Sequence, residues 1–270
     1  SDTSALIDKT SKRMNTTIDQ LKKIKSSGDY KQLQQILSGN SETIASFLSS
    51  PVTLKTHEIY PVANYGSAMA PFYSVLSIWV GGIVLVAILK VTVSASSTAG
   101  LKNLKPYQVY LGRYPIFLIV GLLQTTLICL GDLYYLQIQC EHPFLFLLAG
   151  WFSSIVYVNI IYTLTVSFGD IGKAICVVLL VVQVAGSGGT FPIETAPPFF
   201  RAVYPLLPFV HSMTAMRECV AGMYGSTYWI QMGILGIFLI ISLFFGLVLR
   251  NPIIKLNDAF MEKLESTHLI

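Results

Sequence analysis

Asp170 and Lys173 lie in Phe168-Gly169-Asp170-Ile171-Gly172-Lys173, the one segment whose residue types suggest a phosphate loop. A Walker loop needs a glycine, four residues and then Gly-Lys-Ser/Thr, so that backbone N–H groups cradle phosphate oxygens. That spacing is absent, and Ala174 follows the lysine. The remaining reading is structural. At i, i+3 on a starting helix the two side chains can pair, and the carboxylate suits the positive end of the dipole. Arg217-Glu218 is a second candidate ion pair, of a kind that says little about function. Asp132 is expected near the outer end of a span, where it either reaches headgroups and water or serves transport. His211 has no histidine, cysteine or carboxylate at ligand spacing. Cys129, Cys140, Cys176 and Cys219 include no CxxC pair; Cys140 and Cys219 fall on the same expected outer side, as a disulfide or as two free thiols. With no catalytic triad, paired carboxylates or metal-ligand set, no cofactor or metal is expected and the chain is not read as an enzyme.

Two further segments carry unusual composition. Leu101, Lys102, Leu104, Lys105, Pro106, Tyr107 and Arg113 form a basic, aromatic stretch. Pro106 suits the first turn of a helix running to Tyr114, because the N–H it lacks would be unpaired there. A short helix lying on the inner surface could dock a cytosolic partner; a solvated loop whose Lys and Arg only anchor topology is the plainer alternative. The stretch from Gly186 to Gly222 holds Pro192, Pro197, Pro198, Phe199, Phe200, Pro205 and Pro208. Its five prolines forbid one continuous helix. Two amphipathic pieces, near 198–204 and near 209–221 with Val210, Met213, Met216 and Val220 on one side, predict a re-entrant or interfacial helical hairpin at the outer boundary.

The elements that must position these residues follow from composition. Of 270 residues, 53% are hydrophobic and 12% charged, half the charge of an average soluble domain. Residues 1–58 hold 14 of the 32 charged side chains, so the remainder is too apolar to coat a globule in water. A soluble enzyme and a disordered tail are both excluded. The net charge of +4 does not mark a nucleic-acid binder, since no basic cluster is interleaved with aromatics. Uncharged runs occupy 59–89, 114–131, 143–169, 174–193 and 219–249. A 30 Å hydrocarbon core needs roughly 17–25 apolar residues per helix. An all-α, polytopic membrane protein is therefore predicted, with five spans near 68–89, 115–136, 143–166, 172–190 and 229–249.

Orientation follows from the loops. The even-handed alternation puts Lys90, Lys102, Lys105, Arg113, Lys173, Arg250, Lys255 and Lys263 on one side, and only Arg201 and Arg217 on the other after the first span. Positive loops mark the cytoplasm, so the C-terminus is expected inside and residues 1–58 outside. Five spans with an outer N-terminal segment call for a sixth upstream, and the chain reads as part of a longer protein. The outer segment reads as short amphipathic helices: Ile7, Met14, Ile18, Leu21 and Ile24, then Leu33, Ile36 and Leu37, then Ile44, Phe47 and Leu48. Their stripes are expected to pack on each other or on upstream sequence.

Asn64-Tyr65-Gly66-Ser67-Ala68-Met69-Ala70-Pro71-Phe72-Tyr73, the 168–174 turn, Ala185-Gly186-Ser187-Gly188-Gly189-Thr190-Phe191-Pro192, and Pro205-Leu206-Leu207-Pro208-Phe209 followed by Arg217-Glu218 together resemble the YhgE/Pip family of phage infection protein-like membrane proteins. The resemblance covers nearly all of 50–250. It implies the C-terminal part of a membrane subunit of a type-2 ABC exporter: one N-terminal span, a large extracellular domain, then five spans in the plasma membrane, working as a homodimer. It also implies that 101–114 is a coupling helix for a cytosolic ATPase and that 191–222 is the re-entrant outer hairpin. Relatives serve as phage receptors or as type VII secretion accessories in Gram-positive bacteria. Two readings stay open: a permease moving a lipid-linked or amphipathic substrate outward, and a non-transporting surface protein or scaffold for phage or secretion partners.

Overall fold

The computed structural model describes residues 7–16, 18–19, 61–93 and 105–249. The chain divides into two compact units, Ser1–His57 and Glu58–Ile270. In the first, residues 7–16 are helical, and the apolar stripe that the spacing marks is open at Ile7 and Met14, 63% and 57% exposed. The two further helices expected at 29–50 lie outside the described residues, as do Leu101, Lys102 and Leu104.

The second unit is helical, with no strand among the described residues. Helix α1 spans Tyr65–Ile88. Asn64 starts it, its side-chain oxygen accepting the Ser67 N–H at 2.8 Å. Helix α2 spans Pro106–Leu130 and runs on as a π turn over Gly131–Tyr135. Helix α3 spans Pro143–Phe168 and α4 Asp170–Gly186. The hairpin follows as two short helices, α5 over Pro198–Val203 and α6 over Pro208–Ala221, and the last helix α7 is Thr227–Phe244 with a π turn to Leu249.

α3 is the hub. Side chains all round it are buried, including Phe146, Ala149, Val156, Tyr157, Asn159, Ile161 and Tyr162, and α1, α2, α4, α6 and α7 all pack on it. A helix apolar all round belongs in the middle of a bundle. The outward faces of its neighbours are apolar too: Val84 and Ile88, Leu123 and Leu127, Val178 and Val181, Ile237 and Ile240 are all exposed. An apolar skin over a packed interior is stable in hydrocarbon and not in water.

Among the described residues four helices are long and apolar enough to cross a membrane: Tyr65–Ile88, Pro106–Tyr135, Pro143–Phe168 and Thr227–Val248. The fifth expected span is the 17-residue α4, about 25 Å long at 1.5 Å per residue, and it stops at Gly186 because Gly188 takes φ +63°. Gly169 alone joins α3 to α4, at φ +59°, a conformation that costs glycine nothing. One turn later, a Cβ on Gly172 would lie 2.1 Å from the Leu164 carbonyl oxygen, so only glycine lets the two antiparallel helices close.

Two expectations are corrected. No separate surface helix occupies 106–114; those residues are the first turns of α2, which starts nine residues before the expected boundary at 115. Burial of Tyr110, 1% exposed, and the packing of Tyr110 and Tyr114 on Tyr162, with ring centroids 5.0 and 5.6 Å away, outweigh the interruption that Pro115 imposes on the helical ladder. The hairpin's α6 is also not an interfacial helix with one buried side: it packs on α1, α3 and α7 and buries Phe209, Val210, Met213, Ala215, Met216, Cys219 and Val220.

Gly172→Ala is therefore expected to destabilise the detergent-solubilised protein by about 1–3 kcal/mol, the usual range for overpacking. Gly112→Ala, with open space around the new Cβ, is the control. Thermal unfolding of the two variants side by side checks it, and equal midpoints would contradict the contact.

Candidate functional site

One end of the bundle gathers the positive charge. α2 begins at Lys105, whose backbone N–H donates to Gln108 Oε1 at 2.9 Å, closing the first turn. Lys105 Nζ stands 6.0 Å from the Tyr107 ring centroid, and the ring itself is 45% exposed. Arg113 donates from Nε to the Lys90 carbonyl at 3.0 Å, which ties the start of α2 to the end of α1. At the same end the α3–α4 turn holds the ion pair Lys173 Nζ–Asp170 Oδ1 at 2.9 Å, as the i, i+3 spacing requires. It is solvent-exposed and worth little by itself. A cleft of about 360 Å³ runs between these groups, lined by Val86 to Thr92, Thr165, Gly169, Asp170 and Lys173. Arg113, through its bond to the Lys90 carbonyl, ties the basic stretch to one wall of this cleft, and the Asp170–Lys173 turn forms another.

The other end is built by the hairpin. Gln139 closes it over the start of α1, accepting the Ala63 N–H at 2.6 Å and donating to Pro61 O at 2.9 Å, while its own N–H donates to Ser67 Oγ at 3.0 Å. Pro192 precedes a short 3-10 turn, Pro197 and Pro198 open α5, Pro205 sits in a second 3-10 turn, and Pro208 opens α6. Each proline occupies a helix start, where its missing N–H costs least. Phe199 is 61% exposed, while Phe200 is half-buried and stacks edge-on with it at 5.3 Å.

The expected Arg217–Glu218 pair is corrected. Arg217 donates from Nη2 to Gly189 O at 3.1 Å, and Glu218 accepts the Tyr224 N–H at 2.6 Å. Successive residues on a helix point about 100° apart, so they do not face each other. Burial lowers the Arg217 pKa from its ordinary value, partly offset by Tyr204. Asp132 is likewise not at a water-facing rim. It is 8% exposed, and its carboxyl lies against the Ser74 hydroxyl, whose single proton is shared between Asp132 Oδ2 and Ala70 O. The π turn widens the helix there and swings Asp132 onto α1. His211 pairs Nε2 with Pro205 O at 3.0 Å and Nδ1 with Gln231 Oε1 at 2.6 Å, a structural clamp between the hairpin and α7. Cys140 Sγ donates to the Cys219 carbonyl at 3.3 Å, whereas Cys219 Sγ turns to Ala215 O; both are free thiols.

Between the two ends lies a polar core. Tyr110 Oη donates to Asn159 Oδ1 at 3.0 Å and meets Thr163 Oγ1 at 2.8 Å, and Asn159 Nδ2 donates to Ser242 Oγ at 2.5 Å. This joins α2, α3 and α7. The tyrosine that reads as part of a surface segment is its first member, and only its burial reveals that.

A bundle of apolar helices, charged at one end and closed by a proline-broken hairpin at the other, matches a family model described as ABC-2 family transporter protein over residues 3–248. The chain belongs to that family. It is also 26% identical over 199 residues, 74% of its own length, to the uncharacterized protein YhgE of Bacillus subtilis (strain 168). The chain spans a quarter of the length of that curated relative. No solved structure matches it. The expected resemblance to a YhgE-like ABC-2 membrane family holds, and with it a multi-pass membrane protein.

Two outcomes follow for this ABC-2 chain. Asp132→Asn keeps an oxygen for the Ser74 hydroxyl and is expected to unfold near the wild-type midpoint, whereas Asp132→Ala loses about 1–2 kcal/mol; thermal unfolding in detergent compares them. Burial, the largest effect, pushes the Cys140 pKa up to about 11. Only the thiolate is nucleophilic, so alkylation of Cys140 at pH 8 should run about a hundredfold slower than at an ordinary thiol and rise roughly tenfold per pH unit until about pH 11. Peptide mass spectrometry after timed iodoacetamide treatment measures this, and a rate already flat between pH 8 and 10 would contradict it.

Proposed function

We propose that the chain is the membrane subunit of an ABC-2 exporter-like system that moves an amphipathic or lipid-linked substrate outward, driven by ATP hydrolysis on a separate cytosolic subunit. The observation that carries it is a cleft at one end of the bundle lined by Lys90 and the Asp170–Lys173 turn, with Arg113 bonded to the Lys90 carbonyl and Lys105 at the start of the same helix α2. Family membership supplies the class, and the chain itself offers no phosphate loop, so hydrolysis belongs to a partner. In this reading the charged end is cytoplasmic, the hairpin end faces outward, and two copies form the pathway.

The geometry supports a lever. α2 is one continuous helix from Pro106 to Leu130 despite Pro115 inside it, about 37 Å long at 1.5 Å per residue. A push on Lys105 and Tyr107 is carried along that helix, with Pro115 as its weakest point. It reaches the Tyr110–Asn159–Ser242 network first and the Asp132–Ser74 contact last. Rigid helices that rock about a packed hub are a common switching device.

A second reading has one observation in its favour. Phe191, Phe199 and Leu206 are 75%, 61% and 67% exposed at the hairpin end, as a surface protein that binds phage or secretion partners there would require. The test separates the two. Charge reversal by Lys102→Glu with Lys105→Glu, in the full-length protein, is expected to reduce the ATPase recovered with it from mild detergent by about tenfold or more, equivalent to about 1.4 kcal/mol. Unchanged biological function with both substitutions, together with no ATPase recovered from the wild type, would favour the surface-protein reading.

A further inference from the structure

At the hairpin end a pocket of about 450 Å³ opens between the start of α1, α5's end and α6, within the range of cavities that hold small ligands. Most of its wall is apolar: Ala68, Pro71, Val220 and Ala221. Arg217 and Tyr204 stand in that wall. Among the described residues the Arg217 guanidinium has one hydrogen-bond partner, the Gly189 carbonyl, and no carboxylate within ion-pair distance. Glu218 also reaches the wall, but it is 2% exposed and engaged with the Tyr224 N–H.

A half-buried guanidinium with no carboxylate at ion-pair distance among the described residues is costly to keep. Its planar fork of donors matches the paired oxygens of a phosphate or a carboxylate. Four of its five N–H groups remain to be given. Glu218 lines the same wall, and an acidic neighbour disfavours a dianionic phosphomonoester more than a monoanion. The apolar side of the pocket has no use for a fully hydrated ion.

We infer that this pocket binds the phosphodiester headgroup of an amphiphile, with Arg217 holding the phosphate and the Ala68–Pro71–Val220 wall covering the first carbons of its apolar part. The carbonyl of Gly189 fixes the guanidinium from behind. Gly189 itself has no room for a side chain, because a Cβ would lie 2.2 Å from the Phe72 ring. The inference deepens the exporter reading by placing a substrate-class site at the outward end, and it rests on that reading only for the direction of movement.

The test uses the full chain purified in a non-ionic, phosphate-free detergent and titrated with dihexanoyl phosphatidylglycerol by microscale thermophoresis. Saturable binding is expected, weakened about tenfold or more by Arg217→Gln and partly restored by Arg217→Lys. Ala68→Leu, which fills the apolar wall and leaves the arginine, is expected to weaken it as well, so the result does not hang on one variant's folding; unfolding midpoints of all three report whether each is folded. Dihexanoylglycerol, which lacks the phosphate, and inorganic phosphate, which lacks the chains, should both bind at least tenfold more weakly. Equal affinity for dihexanoylglycerol overturns the role of Arg217, equal affinity for inorganic phosphate assigns the pocket to a free anion and overturns the amphiphile, and an unaltered affinity in folded Arg217→Gln overturns the site. None of these readouts needs an ATPase, so loss of the exporter reading and loss of this site are seen separately.

Discussion

Asn159 has no exposed surface, lies midway along the helix that every other long helix touches, and bonds two of them at once: Tyr110 on α2 and Ser242 on α7. In hydrocarbon no water can replace a partner that moves away. Interhelical bonds of this sort average only about 0.6 kcal/mol in membrane proteins, so the network is not what holds the bundle together. Packing around α3 does that. The polar contacts decide register: an apolar helix can slide along another with little change in buried area, but a slide of one turn would strand the Asn159 amide and the Tyr110 hydroxyl. The position of both ends of the molecule depends on that fixed register.

The two ends put charge to opposite uses. At the basic end Lys105 and Tyr107 remain near water, and the ion pair between Lys173 and Asp170 is exposed, so their charges are cheap and available to a partner. At the hairpin end Arg217 and Glu218 are withdrawn from water, and each is held by a backbone group instead of by the other. A withdrawn charge is costly unless something balances it. The two ends thus differ in how far their charges are withdrawn from the surface, and α2 and α3 connect them through the polar core.

Much of the architecture is legible in the amino-acid sequence. Uncharged runs marked the long helices to within a few residues: 68–89 against Tyr65–Ile88, and 143–166 against Pro143–Phe168. The prolines at 197, 198 and 208 marked the starts of α5 and α6. The second span was misplaced at its start because Arg113 and Pro115 look like a membrane edge followed by a helix start. The tyrosines that extend α2 past them find Tyr162 some fifty positions away, which no local pattern reveals. The depth of α6 was missed for a related reason. Amphipathic spacing identified one inward side, whereas three neighbouring helices cover nearly all of it.

Composition and punctuation by themselves determined that this chain lives in lipid as a helical bundle, because apolar runs of that length have no stable alternative and proline cannot sit inside a regular ladder. Tertiary structure alone decided which charges meet. Arg113 reaches the end of α1, Asp132 turns inward to Ser74, and Arg217 leaves its sequence neighbour to face a pocket. The physical reason is that helical spacing fixes only which residues share a face. The identity of what that face meets is set by packing between segments far apart in the chain.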